Sequence, residues 1–131
     1  MGRSMPPDPD HRRRLGAAGE QCAADYLAAR GYNILERNYR RKWGEADIVA
    51  LAPDGTHVIV EVRSRSNPRY VVEAAQSVGP RKQQQLRRLA HGLMAEHEAD
   101  IDIRVDLIVV STDRSGRLAV AAHIEHAIED D

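Results

Sequence analysis

The chain has 131 residues, of which 42% are hydrophobic and 30% charged, the size and balance of one ordinary globular domain rather than a disordered or fibrous chain. No run approaches the roughly 18 apolar residues of a membrane span, and the polar, proline-bearing start lacks the apolar core of a secretory signal, so a cytoplasmic protein with no membrane partner is expected. Cys22 is the single cysteine, which excludes an intrachain disulfide and multi-cysteine zinc sites, and a net charge of −1 does not by itself announce a polyanionic partner.

Residues 1–13, with Pro6, Pro7 and Pro9 among charges, read as a flexible polar tail, leaving residues 14–131 as a single domain. From Leu15, apolar or small residues at 18, 22, 26 and 29 recur at helical steps until Gly31 supplies a stop. Tyr32 to Arg40 is expected to be a strand ending in the basic run Arg40-Arg41-Lys42. Ala46–Ala52 and Thr56–Arg63 are β-branched runs on either side of Pro53-Asp54-Gly55, which suits a hairpin with a type I turn and glycine in the left-handed position. In that register Ala52 opposes Thr56, and Asp47 opposes Glu61; a slip of one residue would send the two carboxylates to opposite faces.

Residues 64–77 are expected to be irregular. Pro80 fits the first turn of a second helix whose apolar face is Leu86, Leu89, Ala90, Leu93, Met94 and His97. Arg104–Thr112 and Arg117–Ala122 complete the strands. The order α-β-β-β-α-β-β predicts an α/β domain, a mixed β-sheet flanked by helices.

Charge is segregated along this order. Residues 1–42 are net +4, 43–62 net −4, 63–91 net +6 and 92–131 net −7. An acidic patch between basic segments suits a metal site flanked by phosphate-binding surface, although alternating solvated faces would give the same sums.

Within the acidic patch, Asp47 and Glu61 sit in apolar strands, side by side in the expected register. Adjacent carboxylates repel unless a cation or proton separates them, and Mg²⁺ prefers one or two carboxylates plus waters and phosphate oxygens. The plain structural alternative is a solvated strand edge. Glu20 shares a helical stripe with Gly16, Ala23 and Leu27, so it can face the sheet, or stand as an ordinary boundary glutamate. Arg63 falls on the Glu61 face of its strand. Lys82 continues the stripe of Leu86, Leu89 and Leu93, aimed at the sheet or snorkelling at its rim. Arg40, Arg41, Lys42, Arg65, Arg69, Arg81, Arg87 and Arg88 are candidate phosphate contacts, with Tyr39 and Trp43 as stacking candidates. His123 and His126 form a weak candidate metal pair, and Cys22 reads as a small core residue.

Gly19-Glu20, Gly31-Tyr32-x-Ile34-Leu35-x-Arg37-Asn38-x-Arg40, Gly44-Glu45-x-Asp47-Ile48-Val49-Ala50 and Val60-Glu61-Val62-Arg63-x-Arg65 together resemble the YraN family (UPF0102), small bacterial proteins related to Holliday-junction resolvases and the PD-(D/E)xK nuclease superfamily. The resemblance implies a restriction-endonuclease-like core. Glu20 would match the helix glutamate, Asp47 the strand aspartate and Glu61 the first residue of E-x-K. Arg63 departs from that pattern's lysine, which Lys82 could replace from another element.

The implied function is a Mg²⁺- (or Mn²⁺-) dependent DNA endonuclease acting on branched or distorted DNA, with Glu20, Asp47, Glu61, Arg63 and Lys82 as catalytic residues and Asp47, Glu61 and Glu20 as metal ligands. A homodimer follows only by analogy with resolvases. The competing reading is a nucleic-acid-binding module that no longer cuts. A third is a protein-interaction role for the acidic carboxy-terminal region.

Overall fold

The computed structural model describes residues 9–97 and 100–129. Helix α1 runs Pro9–Ala29, starting six residues before Leu15. A proline is tolerated in a first turn because the amide it lacks would have no helical partner there. Residues 9–13 of the expected tail are therefore helical, and its residues 1–8 lie outside the described part. Ala23 and Leu27, on the stripe shared with Glu20, are buried together with Ala24, whereas Ala18 and Ala29 of the expected helical steps are exposed and Cys22 and Tyr26 half-buried. Gly31, at φ 87°, ends the helix.

Strands β1 (Asn33–Arg41), β2 (Gly44–Leu51), β3 (His57–Arg65), β4 (Ile103–Thr112) and β5 (Leu118–Ile124) form one five-stranded sheet in sequence order. Only β3 and β4 pair in parallel; the other neighbours are antiparallel. A parallel pair requires a crossover, made here by a 3-10 turn at Pro68–Tyr70, helix α2 (Val71–Gln76) and helix α3 (Pro80–Glu96). Part of the segment expected to be irregular thus carries a short helix. Strand β4, buried at Arg104–Ser111, shows the near-continuous apolar run of a strand covered on both sides.

One face packs Ile48, Ala50, Val58, Val60, Ile108 and Val110 on α1. The other packs Val49, Ile59, Val105, Leu107 and Val109 on α2 and α3, through Ala74, Leu86, Leu89 and Leu93. The architecture is the expected mixed sheet flanked by helices. No helix among the described residues is long and apolar enough to cross a membrane.

The β2–β3 register is the expected one. Ile48 faces Val60 and Leu51 faces His57, and the Ala52 amide donates to the Thr56 carbonyl at 2.8 Å across the turn. Gly55 there has φ 91°. The β1–β2 pair is less regular. Ala46 packs with Tyr39 on the α3 side and Ile48 on the α1 side, whereas a plain period of two would place 46 and 48 together. The faces exchange at Asn38, φ 53°, and the facing position Asp47, between the pairs Arg37–Ile48 and Tyr39–Ala46.

Candidate active site

Regular β2–β3 pairing ends at Ile48–Val60. Continuing the register brings Asp47 opposite Glu61, and here the strands part. Asp47 Oδ2 accepts the Val62 amide at 2.7 Å, taking the place of a ladder carbonyl and fixing the carboxylate beside Glu61. The face exchange at Asn38 and Asp47 leaves Asp47 reachable from both sides of the sheet, so Glu20 meets it from α1 and Glu61 from β3.

The electrostatics record this convergence. Burial, the Asp47 charge and a hydrogen bond shared with Asp47 push Glu61 up to about 7, against the pull of Lys82 and Arg63. Burial and the same aspartate push Glu20 up to about 7, and the nearby Arg37 opposes the rise. Glu61 is 3% exposed, so its charge is poorly solvated and its partners count for more.

Two cations approach Glu61 Oε2, Arg63 at 3.0 Å and Lys82 Nζ at 3.7 Å. Lys82 also donates to the Glu45 carbonyl at 2.9 Å, which ties the start of α3 to the start of β2. Arg63 Nε is buried with no hydrogen-bond partner among the described residues. A shallow groove of about 370 Å³ lined by Gly79, Pro80, Arg81, Lys82 and Gln85 opens beside Lys82.

With this sequence and geometry together, comparison with known proteins is decisive at the family level: the pattern of the uncharacterised protein family UPF0102 matches residues 19–110. The chain belongs to UPF0102. A UPF0102 protein of Desulforamulus reducens is 44% identical over 119 residues, covering 89% of this chain and 97% of the relative. One from Treponema pallidum is 42% identical over 125 residues, covering 93% and 98%.

Among solved structures, a repair endonuclease from Pyrococcus abyssi aligns over 86% of this chain and 41% of its own, at 15% identity and TM-score 0.43. An EndoMS–dsDNA complex aligns over 67% and 44%, at 15% identity and TM-score 0.33. The UPF0102 chain spans less than half of either structure, and likeness at these scores carries no functional inference.

Of the expected UPF0102 site residues, Glu20, Asp47, Glu61, Arg63 and Lys82 come together. Among the described residues, no three His, Cys, Asp or Glu side chains close into a metal-encircling group. The donor set still fits a hard divalent ion, which needs only one or two carboxylates with water completing its shell. Burial and the Asp47 charge hold both glutamates up, and the like-charge part of that rise is what such a cation would remove.

The basic candidates are dispersed. Arg40, Lys42, Arg69, Arg81 and Arg88 are exposed, Arg40 pairing with Glu45 at 2.9 Å. Arg41 is held by Glu96 at 2.6 Å and Arg65 by Glu73 at 2.8 Å. Arg87 donates to the Glu129 carbonyl, beside the carboxy-terminal segment.

Tyr39 is a correction. The exchange of faces at Asn38 turns it into the core, where its hydroxyl donates to Glu96, so it presents no ring for stacking. Trp43 keeps 40% exposure while covering Gly92 of α3. His123 spends both ring nitrogens on Asp106 (2.8 Å) and the Tyr26 hydroxyl (3.1 Å), which removes it from any metal pair with His126. Cys22 is half-buried against the α1-side core.

Several contributors were beyond sequence reasoning. The Val62 amide and Glu45 carbonyl are backbone groups and carry no residue signature. Gly19 was visible only as part of the family motif. A Cβ there would overlap Ser64 Oγ, so glycine permits the close approach of α1 to β3 that brings Glu20 to Asp47.

Proposed function

We propose that this UPF0102 protein is a metal-dependent DNA endonuclease. The observation that carries the reading is the meeting of Glu20, Asp47 and Glu61, delivered by three separate elements and held together at the expense of their charge. A stability-driven sheet end has no need of such a group. Asp47 and Glu61 would hold Mg²⁺ or Mn²⁺, with Glu20 assisting. When bound, the ion supplies an acidified water and charge neutralisation at a phosphodiester.

The chain's own cations divide the remaining work. Arg63 has one nitrogen committed to Glu61 and keeps its side chain partly exposed, so its remaining outward N–H donors suit an acceptor such as a phosphate oxygen. Lys82, braced by the Glu45 carbonyl, places a compact positive charge at the mouth of the groove, where it can stabilise charge developing on the scissile group. Arg40, Lys42, Arg69, Arg81 and Arg88 would follow the flanking phosphates. A branched or distorted duplex and a twofold assembly are extensions by resemblance to the resolvases; a cytoplasmic location is proposed from the single cysteine and the polar start of the chain.

The two ion pairs on Glu61 also suit a second reading, in which the scaffold binds nucleic acid with the carboxylate neutralised internally and no longer cuts. Incubation of a labelled four-way junction, a flap and a plain duplex with Mg²⁺ or Mn²⁺ separates the two. Metal-dependent cutting that Asp47→Ala abolishes supports the enzyme. Salt-sensitive binding without cutting under either metal supports the binding module.

A further inference from the structure

At the far end of β3 from Arg65, a second group of polar atoms stands outside the machinery described above. His57 opens β3 and His97 caps the carboxy-terminal end of α3. Their rings stand 4.8 Å apart, centroid to centroid, at 72°. The Nδ1 of His57 is buried and has no hydrogen-bond partner among the described residues. A buried imidazole nitrogen without a partner is uncommon and calls for a physical reason, such as an ion or water.

The tautomer of His97 follows from its contacts. Its Nδ1 lies 2.9 Å from the Leu93 carbonyl. A carbonyl only accepts, so Nδ1 carries the hydrogen and Nε2 presents its lone pair. An imidazole whose other nitrogen donates to a backbone carbonyl is the usual arrangement of a metal-ligating histidine, fixed in tautomer and raised in basicity. Burial lowers the pKa of His57, and His97 lowers it further whenever that ring is protonated, which favours the neutral imidazole, the form that binds metal.

We propose that His57 and His97 form a binding site for a late first-row transition-metal dication of the Zn²⁺ and Cu²⁺ class, with solvent completing the coordination. The ring separation agrees. Two imidazoles sharing a tetrahedral ion through bonds of about 2.0–2.1 Å hold their centroids roughly 5 Å apart. His97 is exposed and half-buried His57 lies behind it, so an ion reaches the buried His57 Nδ1 as the exposed His97 ring swings aside.

The site is independent of the carboxylates. Four residue steps along β3 lead from His57 to Glu61, about 13 Å along a strand. Its nitrogen donors prefer softer ions than the all-oxygen set at Asp47. A metal here would clasp the end of α3 to β3, the same helix that carries Lys82 at its other end. The proposal stands whether or not the protein is a nuclease.

Isothermal titration and thermal unfolding of tag-free, chelator-treated protein in a Cys22→Ser background, with Mg²⁺, Ni²⁺, Cu²⁺ and Zn²⁺, test this. The expected result is one histidine-dependent equivalent of Cu²⁺ bound more tightly than Ni²⁺ or Zn²⁺, each raising the unfolding midpoint, with Mg²⁺ giving no signal that depends on the histidines. His57→Phe and His97→Phe should each weaken Cu²⁺ and Zn²⁺ binding at least tenfold, and Asp47→Ala should leave it unchanged. If His57→Phe does not fold, His97→Gln at the exposed cap gives the same reading. Absence of stoichiometric Cu²⁺ binding, or binding undiminished in the His97 variants, would overturn the site and leave the pair as an edge-to-face ring contact.

Discussion

Replacing Glu61 by glutamine separates a functional carboxylate from a structural one. Burial and Asp47 raise Glu61 from an ordinary 4.5 to about 7, so the folded protein holds this proton more tightly than the unfolded chain. For an acid raised in this way, the sign is unfavourable to the native state. No penalty exists below the unfolded value; it grows as pH rises through the interval from 4.5 to about 7, and is fully present above it. Titrating alone, a rise of that size corresponds to roughly 3 kcal/mol. Glu20 rises for the same reason and shares Asp47, so part of the relief is common to both, leaving roughly 2 kcal/mol for Glu61→Gln at pH 8. For a chain of this length that is an increase of about 5–10 °C in unfolding midpoint.

Thermal or urea unfolding of the metal-free protein at pH 8 and pH 5 measures the effect. Glu61→Gln should be more stable than the parent at pH 8, and the gap should shrink below about 1 kcal/mol at pH 5, where glutamine resembles the protonated acid. Adding millimolar Mg²⁺ should stabilise the parent and leave the variant unmoved. A variant less stable than the parent at pH 8 would refute the reasoning. It would mean that the contacts to Arg63 at 3.0 Å and Lys82 at 3.7 Å outweigh burial and repulsion, making Glu61 an ordinary ion-pair residue.

Lys82→Ala should remove cleavage with little loss of fold or binding, whereas Arg63→Lys should keep or raise the rate; cleavage that survives Lys82→Ala but not Arg63→Ala would assign the charge-stabilising role to Arg63. Charge reversal of Arg40, Arg41 and Lys42 together should weaken nucleic-acid binding uniformly across sequences and flatten its salt dependence, read by anisotropy at several salt concentrations; unchanged affinity would remove that turn from the interface. Gly19→Ala should lower metal-dependent activity by displacing Glu20, and Ser64→Gly in the same chain should restore much of it by clearing the overlapped hydroxyl; no rescue would place the damage elsewhere in α1.

The hairpin that carries Asp47 and Glu61 was legible because its information is local. Pro53-Asp54-Gly55 sets a turn, the turn sets a register, and the register sets which side chains are neighbours. Lys82 was legible for a similar reason, since Leu86, Leu89 and Leu93 define the buried side of α3 and Lys82 extends it. Tyr39 was misplaced because standing beside Arg40, Arg41 and Lys42 does not say which face its ring takes. A period of two carries through β1 only if every residue keeps extended geometry, and Asn38, at φ 53°, does not. Asparagine tolerates the left-handed region better than most residues, but nothing in one sequence says where it will use that tolerance. The extra turns of α1 were missed because prolines and charges near a chain start resemble a tail as closely as a first turn.

The same irregularity explains why the site stands where it does. In an unbroken sheet, side chains at one position serve one face, and a glutamate from α1 could not share an aspartate with a glutamate facing α3. At Asn38 and Asp47 the faces exchange, the β2–β3 ladder has just ended, and the Val62 amide has lost its strand partner. Asp47 answers that amide at 2.7 Å and is thereby held at the boundary between the two layers. Glu20 arrives over Gly19, and Glu61 sits one pair beyond the last ladder rung. The defect in pairing is therefore the feature that lets three carboxylates meet, and a substitution restoring regular geometry at position 38 should pull them apart. Asn38→Val, a residue that disfavours positive φ, should lower the raised value of Glu20 towards its ordinary 4.5, measurable by NMR titration of its side-chain carboxyl. A Glu20 still titrating near 7 in that variant would show that the exchange of faces is not what joins the helix to the strands.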